Sequence, residues 1–344
     1  MIPPHDNVEA AYIAMSNGDI AEAMRIYRMM LRRAPNDRAL HYSLGQLLLL
    51  VGDFEAGLEE WEWRTQAQMP LPRWRGAPLK GARIFVRGEQ GFGDNFQFVR
   101  YAPMIAARGG TVVVGTRGGL RPLLSTVPGV SQVIESGEAI ENIACQIPMM
   151  SLPYIFGTRL NTIPAQVPYI AADGDRVAAW QARFAARPGL RVGLVWSGNP
   201  DATYNARRSP GLAAVRPLMD CPGVTIYGLQ MGAGRTDLQG AALPDSFTDL
   251  GPDLKSFSDT AAAMMALDLV ISSCTSPAHL AGALGRPVWI MLAMDSDWRW
   301  LRDREDSPWY PTARLFRQAK AGAWDLPVAR MRGELERLAA AKAG

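Results

Sequence analysis

The chain has 344 residues, 48% of them hydrophobic, enough to bury the cores of two or three domains. Its 36 Lys and Arg against 33 Asp and Glu leave a formal charge of +3, which argues against a surface built to wrap nucleic acid while leaving room for a local basic pocket. Three widely spaced cysteines without a CxxC pair (Cys145, Cys221, Cys274) and three scattered histidines (His5, His41, His279) argue against a disulfide framework or a metal site, and fit a reducing cytoplasm.

No cationic segment followed by an apolar core opens the chain, so no secretory signal is expected. No run approaches the roughly 18 apolar residues that would span a bilayer. Residues 1–68 hold an internal repeat. NGDIAEAMRIYRMML from Asn17 aligns with VGDFEAGLEEWEWRT from Val51, setting Gly18 against Gly52, 34 residues on, Asp19 against Asp53 and Tyr27 against Trp61. Helical periodicity flanks both copies and Pro35 falls where the first helix pair should end. A helix–turn–helix unit of that period has the form of a tetratricopeptide repeat, in which small residues bring two helices close and the aromatic fills the groove between them. A single amphipathic hairpin with chance similarity is the alternative. So few repeats need a neighbour, either the next domain or a second chain.

Residues 69–81, MPLPRWRGAPLKG, are dense in Pro and Gly and read as a linker. Beyond them short apolar strands alternate with helices. The strand candidates are residues 82–88, 111–116, 131–136, 191–197, 224–230, 267–273 and 287–292. Several are apolar on both faces, as strands between two helical layers must be. Parallel βαβ units with right-handed crossovers follow. The helical stretch 173–189 divides the series, predicting two Rossmann-like halves, 82–172 and 173–325, around a cleft, with a final amphipathic helix over 326–344.

Four stretches carry candidate chemistry. RGEQGFGDNFQFVRYAP (87–103) leaves a strand, turns through Gly91 and Gly93 and enters a helix. It is no dinucleotide fingerprint, because Phe96 stands where the third glycine belongs and no acidic residue closes the second strand; nor does GK[ST] follow to make a P-loop. It presents Asp94 at a helix start, either to cap that helix or to act as a general base if the cleft raises its pKa. WSGNPDATYNARRSP (196–210) offers Arg207 and Arg208 at a strand end, either to neutralise phosphate or simply to be solvated. In DLVISSCTSPAHLAGALGRPVWIML (268–292) a buried strand breaks into Cys274, Thr275 and Ser276, with Ser276 expected as N-cap and Pro277 as the first helical residue. That geometry binds anions, a diphosphate above all, although a structural turn looks the same locally. DSDWRWLRDREDSPWYP (295–311) interleaves Trp with charges; its acids favour a packed amphipathic segment over a base-stacking surface.

The order of these pieces, with EQGFGD..QFVRY.P, GLVWSGNP…RRS, DLVIS..T..AHLAGALGRPVW and DWRWL.DR.DSPWYP, resembles bacterial tetratricopeptide-repeat proteins carrying a glycosyltransferase domain related to the lipopolysaccharide heptosyltransferases. It is more distantly similar to the protein O-linked N-acetylglucosamine transferases. The resemblance covers nearly the whole chain. It implies an α/β fold of the GT-B type, a pair of Rossmann-like domains preceded by a short all-α tetratricopeptide-type segment. It also implies an inverting transfer with no metal or cofactor, the nucleotide sugar entering as substrate. Carried over position by position, it makes Asp94 the base and sets Arg207 or Arg208, with Asn199, against the donor phosphates. It sets Gln230 against the nucleoside, and Cys274, Thr275, Ser276 and His279 against diphosphate and sugar. Gly91, Gly93, Gln97 and Arg100 form the acceptor-side loop. His279 also reads as a satisfied, half-buried histidine.

There are departures from the pattern. Cys274 stands where the family has the Asp of a VDT or NDT motif, Pro277 replaces a small or aliphatic residue, and DATYNA before Arg207 lacks the usual polar pattern. A thiol for a carboxylate removes a charge and two strong acceptors. Three functions therefore stand side by side: a transferase acting on a protein or glycan acceptor, with the repeat segment a docking surface for a protein; a degenerate member that binds a nucleotide sugar or a partner without turnover; and a lipopolysaccharide heptosyltransferase, against which the repeat segment counts.

Overall fold

The computed structural model describes residues 7–201 and 205–343; His5 and the centre of the DATYNA stretch lie outside the described residues. Four helices come first: α1 (Val8–Ser16), α2 (Ile20–Arg33), α3 (Arg38–Leu50) and α4 (Phe54–Trp61). Each begins where a short polar side chain, Asn7, Asp19, Asp37 or Asp53, accepts a backbone N–H of its first turn. The aligned Gly18 and Gly52 occupy equivalent turns with φ of 79° and 88°, a region that favours glycine. Helices α3 and α4 touch backbone to backbone. A Cβ on Gly45 would stand 2.9 Å from the Trp61 nitrogen, and one on Gly57 would stand 2.8 Å from Leu49.

Among the described residues, ten strands form two wholly parallel sheets. The first has the order β3-β2-β1-β4, from β1 (Arg83–Arg87), β2 (Thr111–Thr116), β3 (Val130–Glu135) and β4 (Cys145–Pro148). The second has the order β10-β9-β8-β5-β6-β7, from β5 (Leu190–Val195), β6 (Val224–Gly228), β7 (Phe247–Asp249), β8 (Leu269–Ser273), β9 (Val288–Leu292) and β10 (Ala313–Arg317). Strands β6, β8 and β9 are buried along their whole length, because helices cover both faces of the sheet. Three strands escape the sequence reading: β4 ends in proline, β7 is only 3 residues long, and β10 carries two arginines, Arg314 and Arg317, in five residues.

The Pro/Gly-rich stretch 69–81 is not a free tether. The Trp74 nitrogen donates to the Gln146 carbonyl at 2.8 Å, Arg73 bridges to Gln146 in parallel, and the Trp74 ring is buried. The terminal helix (Asp325–Ala343) lays Val328, Met331, Leu335 and Ala339 into the core beneath the second sheet, the spacing of one helical face. Among the described residues no helix is long and apolar enough to cross a membrane.

The site follows from two strand-to-helix turns. Strand β1 turns into α5 (Phe92–Phe98), and β8 turns into the helix Ser276–Ala283. Both turns leave the carboxyl ends of parallel strands, and the two helices pack on each other across the lobes.

Candidate active site

A cavity of about 1110 Å³ lies between those carboxyl ends. Its walls include Gly91, Gly93 and Asp94 from the first lobe, and Asn199, Arg207, Arg208, Gln230, Cys274, Thr275, Ser276 and His279 from the second. Helices α1, α3 and α4 close a third side with Met15, Tyr42, Gln46, Leu47, Leu50 and Trp61. Two residues expected on the acceptor side are absent from these walls. Gln97 points into the core, fully buried, and Arg100 fills an aromatic cage between the lobes. Arg100 donates to the carbonyls of Gln97, Pro164 and Trp309 and to the Tyr169 hydroxyl, and packs over the Tyr169 and Tyr310 rings at 4.6 and 4.7 Å. Gln97 near the end of α5 and Arg100 in the turn after it are both buried away from the cleft, so they belong to the fold.

Asp94 is the third residue of α5. Its Oδ2 accepts the Gly91 N–H at 2.8 Å, closing the turn, and its Oδ1 accepts Nη2 of Arg299 at 2.5 Å. Burial pushes the Asp94 carboxyl above the ordinary carboxylate range, against the pull of the Arg299 guanidinium and the Gly91 amide. Arg299 itself is buried, with Nη1 held by both oxygens of Asp297 at 2.8 and 2.9 Å. In the sequence 295–311 reads only as a packed amphipathic segment, and Arg299 does not stand out within it. That segment does pack, but it also delivers Arg299 to the carboxylate 205 residues earlier. Its only local signal is the Trp-Arg-Trp triplet, which does not say which arginine is turned inward.

The turn after β8 differs by one residue from expectation. Thr275 is the N-cap, in extended backbone; Ser276 is the first helical residue and Pro277 the second. The Thr275 hydroxyl turns back to the Ser273 carbonyl at 3.2 Å, so no side chain caps this helix start where it opens on the cavity. Cys274 lies beside it, its sulfur accepting the Trp300 indole N–H at 3.0 Å. Burial, reinforced by Asp297, pushes that thiol up to about 11, so it is neutral. His279 sits between Tyr310, whose hydroxyl is 3.0 Å from Nδ1, and the Trp300 ring at 5.2 Å. Burial, then the nearby Arg299, pushes it down to about 3, so it is neutral too.

The remaining donor-side candidates separate. Arg207 is ion-paired with Asp295, and its guanidinium lies 5.9 Å from the Tyr12 ring of α1. Arg208 has no carboxylate partner among the described residues, and its Nε is buried without a hydrogen bond. A Cβ on Gly198 would lie 3.1 Å from Arg208 Nη2, 2.9 Å from Thr275 Cγ2 and 2.6 Å from Asn205 Oδ1, so only glycine lets these three converge. Asn199 accepts from the Asp201 nitrogen at 3.2 Å. Gln230 was expected to meet a nucleoside with its side chain. Instead its oxygen accepts from the Trp196 and Ser197 nitrogens, and its amide donates to the Ser197 and Met231 carbonyls, so its hydrogen bonds go to shaping the loop.

No protein-family model matches the chain. Among curated proteins it is similar to Protein FlbA of Caulobacter vibrioides, 28% identical over 368 residues, which cover 96% of this chain and 61% of that protein. The chain thus spans 61% of the length of the curated relative it matches. Among solved structures, the E. coli ADP-heptose lipopolysaccharide heptosyltransferase II matches with a TM-score of 0.56 and 14% identity, over 76% of this chain and 100% of that one. The glycosyl transferase family 9 structure from Veillonella parvula matches with a TM-score of 0.56 and 10% identity, over 77% and 100%. Identities this low speak to the fold, which is the two-lobed GT-B architecture.

Proposed function

We propose that the chain is a glycosyltransferase that moves a sugar from a nucleoside-diphosphate donor to a hydroxyl on a protein, inverting the anomeric carbon without a metal. The observation that supports this is the opening of Asp94, Arg208 and the uncapped helix start at Thr275–Ser276 onto one cavity between two parallel sheets. Asp94 takes the proton of the acceptor hydroxyl as that oxygen bonds to the anomeric carbon. The bond from that carbon to the diphosphate oxygen breaks, and its electron pair leaves with the nucleoside diphosphate. Arg208 and the helix start meet the charge that grows on the leaving group.

In this reading residues 1–68 are a tetratricopeptide-like unit, 82–172 the acceptor lobe and 173–325 the donor lobe, and the reaction takes place in the cytoplasm. The apolar wall that Met15, Leu47 and Leu50 give the cavity supports a part for the repeat unit in seating a protein acceptor. The test is a panel of ADP-, UDP- and CMP-sugars, including the ADP-heptose named for the E. coli neighbour, with candidate acceptor proteins read by mass spectrometry. Loss of a general base costs about 10²–10⁴-fold, so Asp94→Asn is expected to lose transfer by that order and keep nucleotide affinity. Undiminished turnover in that variant removes Asp94 from the mechanism.

A second reading, nucleotide-sugar binding without turnover, is favoured by one observation: a neutral thiol at Cys274 where the family resemblance puts a carboxylate. Calorimetry that detects a nucleotide, beside mass spectra that show no transfer with any donor, would decide for it.

A further inference from the structure

Helix α4 and the residues just after it reach both supports of Asp94. On one side, Trp61 packs edge-on against Trp298 with ring centroids 5.6 Å apart, and Phe54 does the same at 6.2 Å. Trp298 in turn lies 4.7 Å below the Arg299 guanidinium, which the Phe98 ring flanks at 5.3 Å. Wedged between rings and tied to Asp297, that guanidinium has one direction left for Nη2, towards Asp94 Oδ1. On the other side, Arg64 donates to Glu89 at 2.7 Å and to the Ser151 hydroxyl at 2.8 Å, and Glu89 stands on the turn that carries Gly91 and Asp94. Trp61 at the end of α4 and Arg64 three residues on thus brace the carboxylate from opposite ends. The planar guanidinium fork holds two carboxylates at once in a fixed geometry, Asp297 through Nη1 and Asp94 through Nη2, which the point charge of an ammonium does not.

We propose that Arg299 is a positioning residue for Asp94, and that Trp61, acting through Trp298, makes the helical segment a structural part of the catalytic centre. This rests on Asp94 being the base of the transfer proposed above. Arg299 and Asp297, from the segment after β9, are the charges that act on Asp94. The other charged and titratable groups lining the cavity are Cys274 and His279 at the turn after β8 and on its helix, Arg207 and Arg208 after β5, Asp295 after β9, Lys255 before the helix Phe257–Met265, and Arg117 after β2. The wall contributed by α1, α3 and α4 carries no charge, so the effect of Trp61 on Asp94 passes through Arg299. With Arg299 gone, burial and Asp297 both favour the protonated carboxyl, and the ionised base survives only at higher pH.

The experiment compares wild type with Arg299→Gln, Arg299→Lys and Trp61→Phe, using two readouts: the acid limb of the pH–rate profile for transfer, and the titration of the Asp94 carboxyl carbon by NMR in the ligand-free protein, assigned with Asp94→Asn. Removing a cation in contact with a carboxylate raises its pKa by about 1–3 units, so both limb and titration move up by that amount in Arg299→Gln. Arg299→Lys is expected to bring the limb back but not the full kcat, because the charge returns without the fork. Trp61→Phe, which keeps the packing apolar, shifts the limb in the same direction by less. Limbs and titrations identical in wild type, Arg299→Gln and Trp61→Phe overturn the proposal, even if thermal stability falls. A carboxyl titration that moves as expected in a protein that transfers no sugar keeps the positioning role and removes the transfer.

Discussion

Gly93 and His279 touch across the cleft: a Cβ built on Gly93 would stand 2.7 Å from His279 Cδ2 and 3.4 Å from the Ser276 Cα. The backbone of Gly93 is outside the positive-φ region, so space alone keeps a side chain out. The contact sets how closely the Asp94 turn approaches the helix start of the other lobe. Gly93→Ala is expected to cost about 1–3 kcal/mol of stability, as overpacking of a close contact does, and to lower transfer by separating the two turns. His279→Ala in the same chain makes room for the methyl, so the double variant should be more stable than the sum of the two single changes. Thermal denaturation of the four proteins checks the cycle.

Arg207 and Arg208 are neighbours with different duties. Arg207 faces Asp295, whereas Arg208 has no carboxylate partner among the described residues and lines the same cavity. A charged hydrogen bond is worth about 1.5–3 kcal/mol, so Arg208→Ala should weaken nucleoside-diphosphate binding about 10- to 100-fold. Arg207→Ala, whose cation is already neutralised, is expected to change it by no more than a few-fold. Calorimetry with ADP and UDP measures both; equal losses would mean that Arg207 leaves Asp295 when the ligand binds.

Much of this was legible in the sequence because it depends on local rules. The apolar runs at 111–116 and 287–292 could only be buried strands, and the glycine turn ending in Asp94 and the Thr275–Ser276 turn both mark strand-to-helix exits on a sheet's carboxyl edge. What escaped is what tertiary contact decides. Gln97 and Arg100 share a motif with Asp94, yet Gln97 is fully buried in the core and Arg100, in the turn after α5, fills the interlobe cage, placements that only the packing of neighbouring elements decides. Arg299 lies in a segment rich in Arg and Asp, and only the closure of the lobes selects the one that meets Asp94. Gln230 reads as a polar group at a strand end, and no local rule says that four backbone groups engage it. The wall built by α1, α3 and α4 was equally hidden, because the repeat pattern specifies a hairpin's inner face and not what its outer face will meet.

The buried His279 makes stability depend on pH. Its folded-state pKa is depressed from 6.5 to about 3, so between those values the unfolded chain holds a proton that the folded chain does not. The stability due to the neutral ring is fully present above 6.5 and falls as pH drops below it, by about 1.4 kcal/mol per unit. From pH 6.5 to 5 the loss is about 2 kcal/mol. His279→Gln has no such proton to bind, so its Tm should fall less steeply over that interval than that of wild type. Parallel Tm curves for the two proteins would show that His279 titrates normally in the fold.

The brace between the helical segment and the Asp94 turn is testable through its buried ion pair. Arg64 and Glu89 are both nearly buried, and Glu89 Oε2 accepts the Met150 nitrogen at 3.2 Å as well as Arg64 Nη2 at 2.7 Å. Arg64→Met leaves a carboxylate out of water with one amide for company, which costs about 3–5 kcal/mol. Glu89→Gln in that background removes the stranded charge and keeps an oxygen for the Met150 amide, so most of the stability should return. If the brace were only structural, kcat would return with it. Because Arg64 also fixes where the turn bearing Gly91 and Asp94 begins, the double variant is expected to regain its Tm but not its full kcat, with the KM for the donor nearly unchanged.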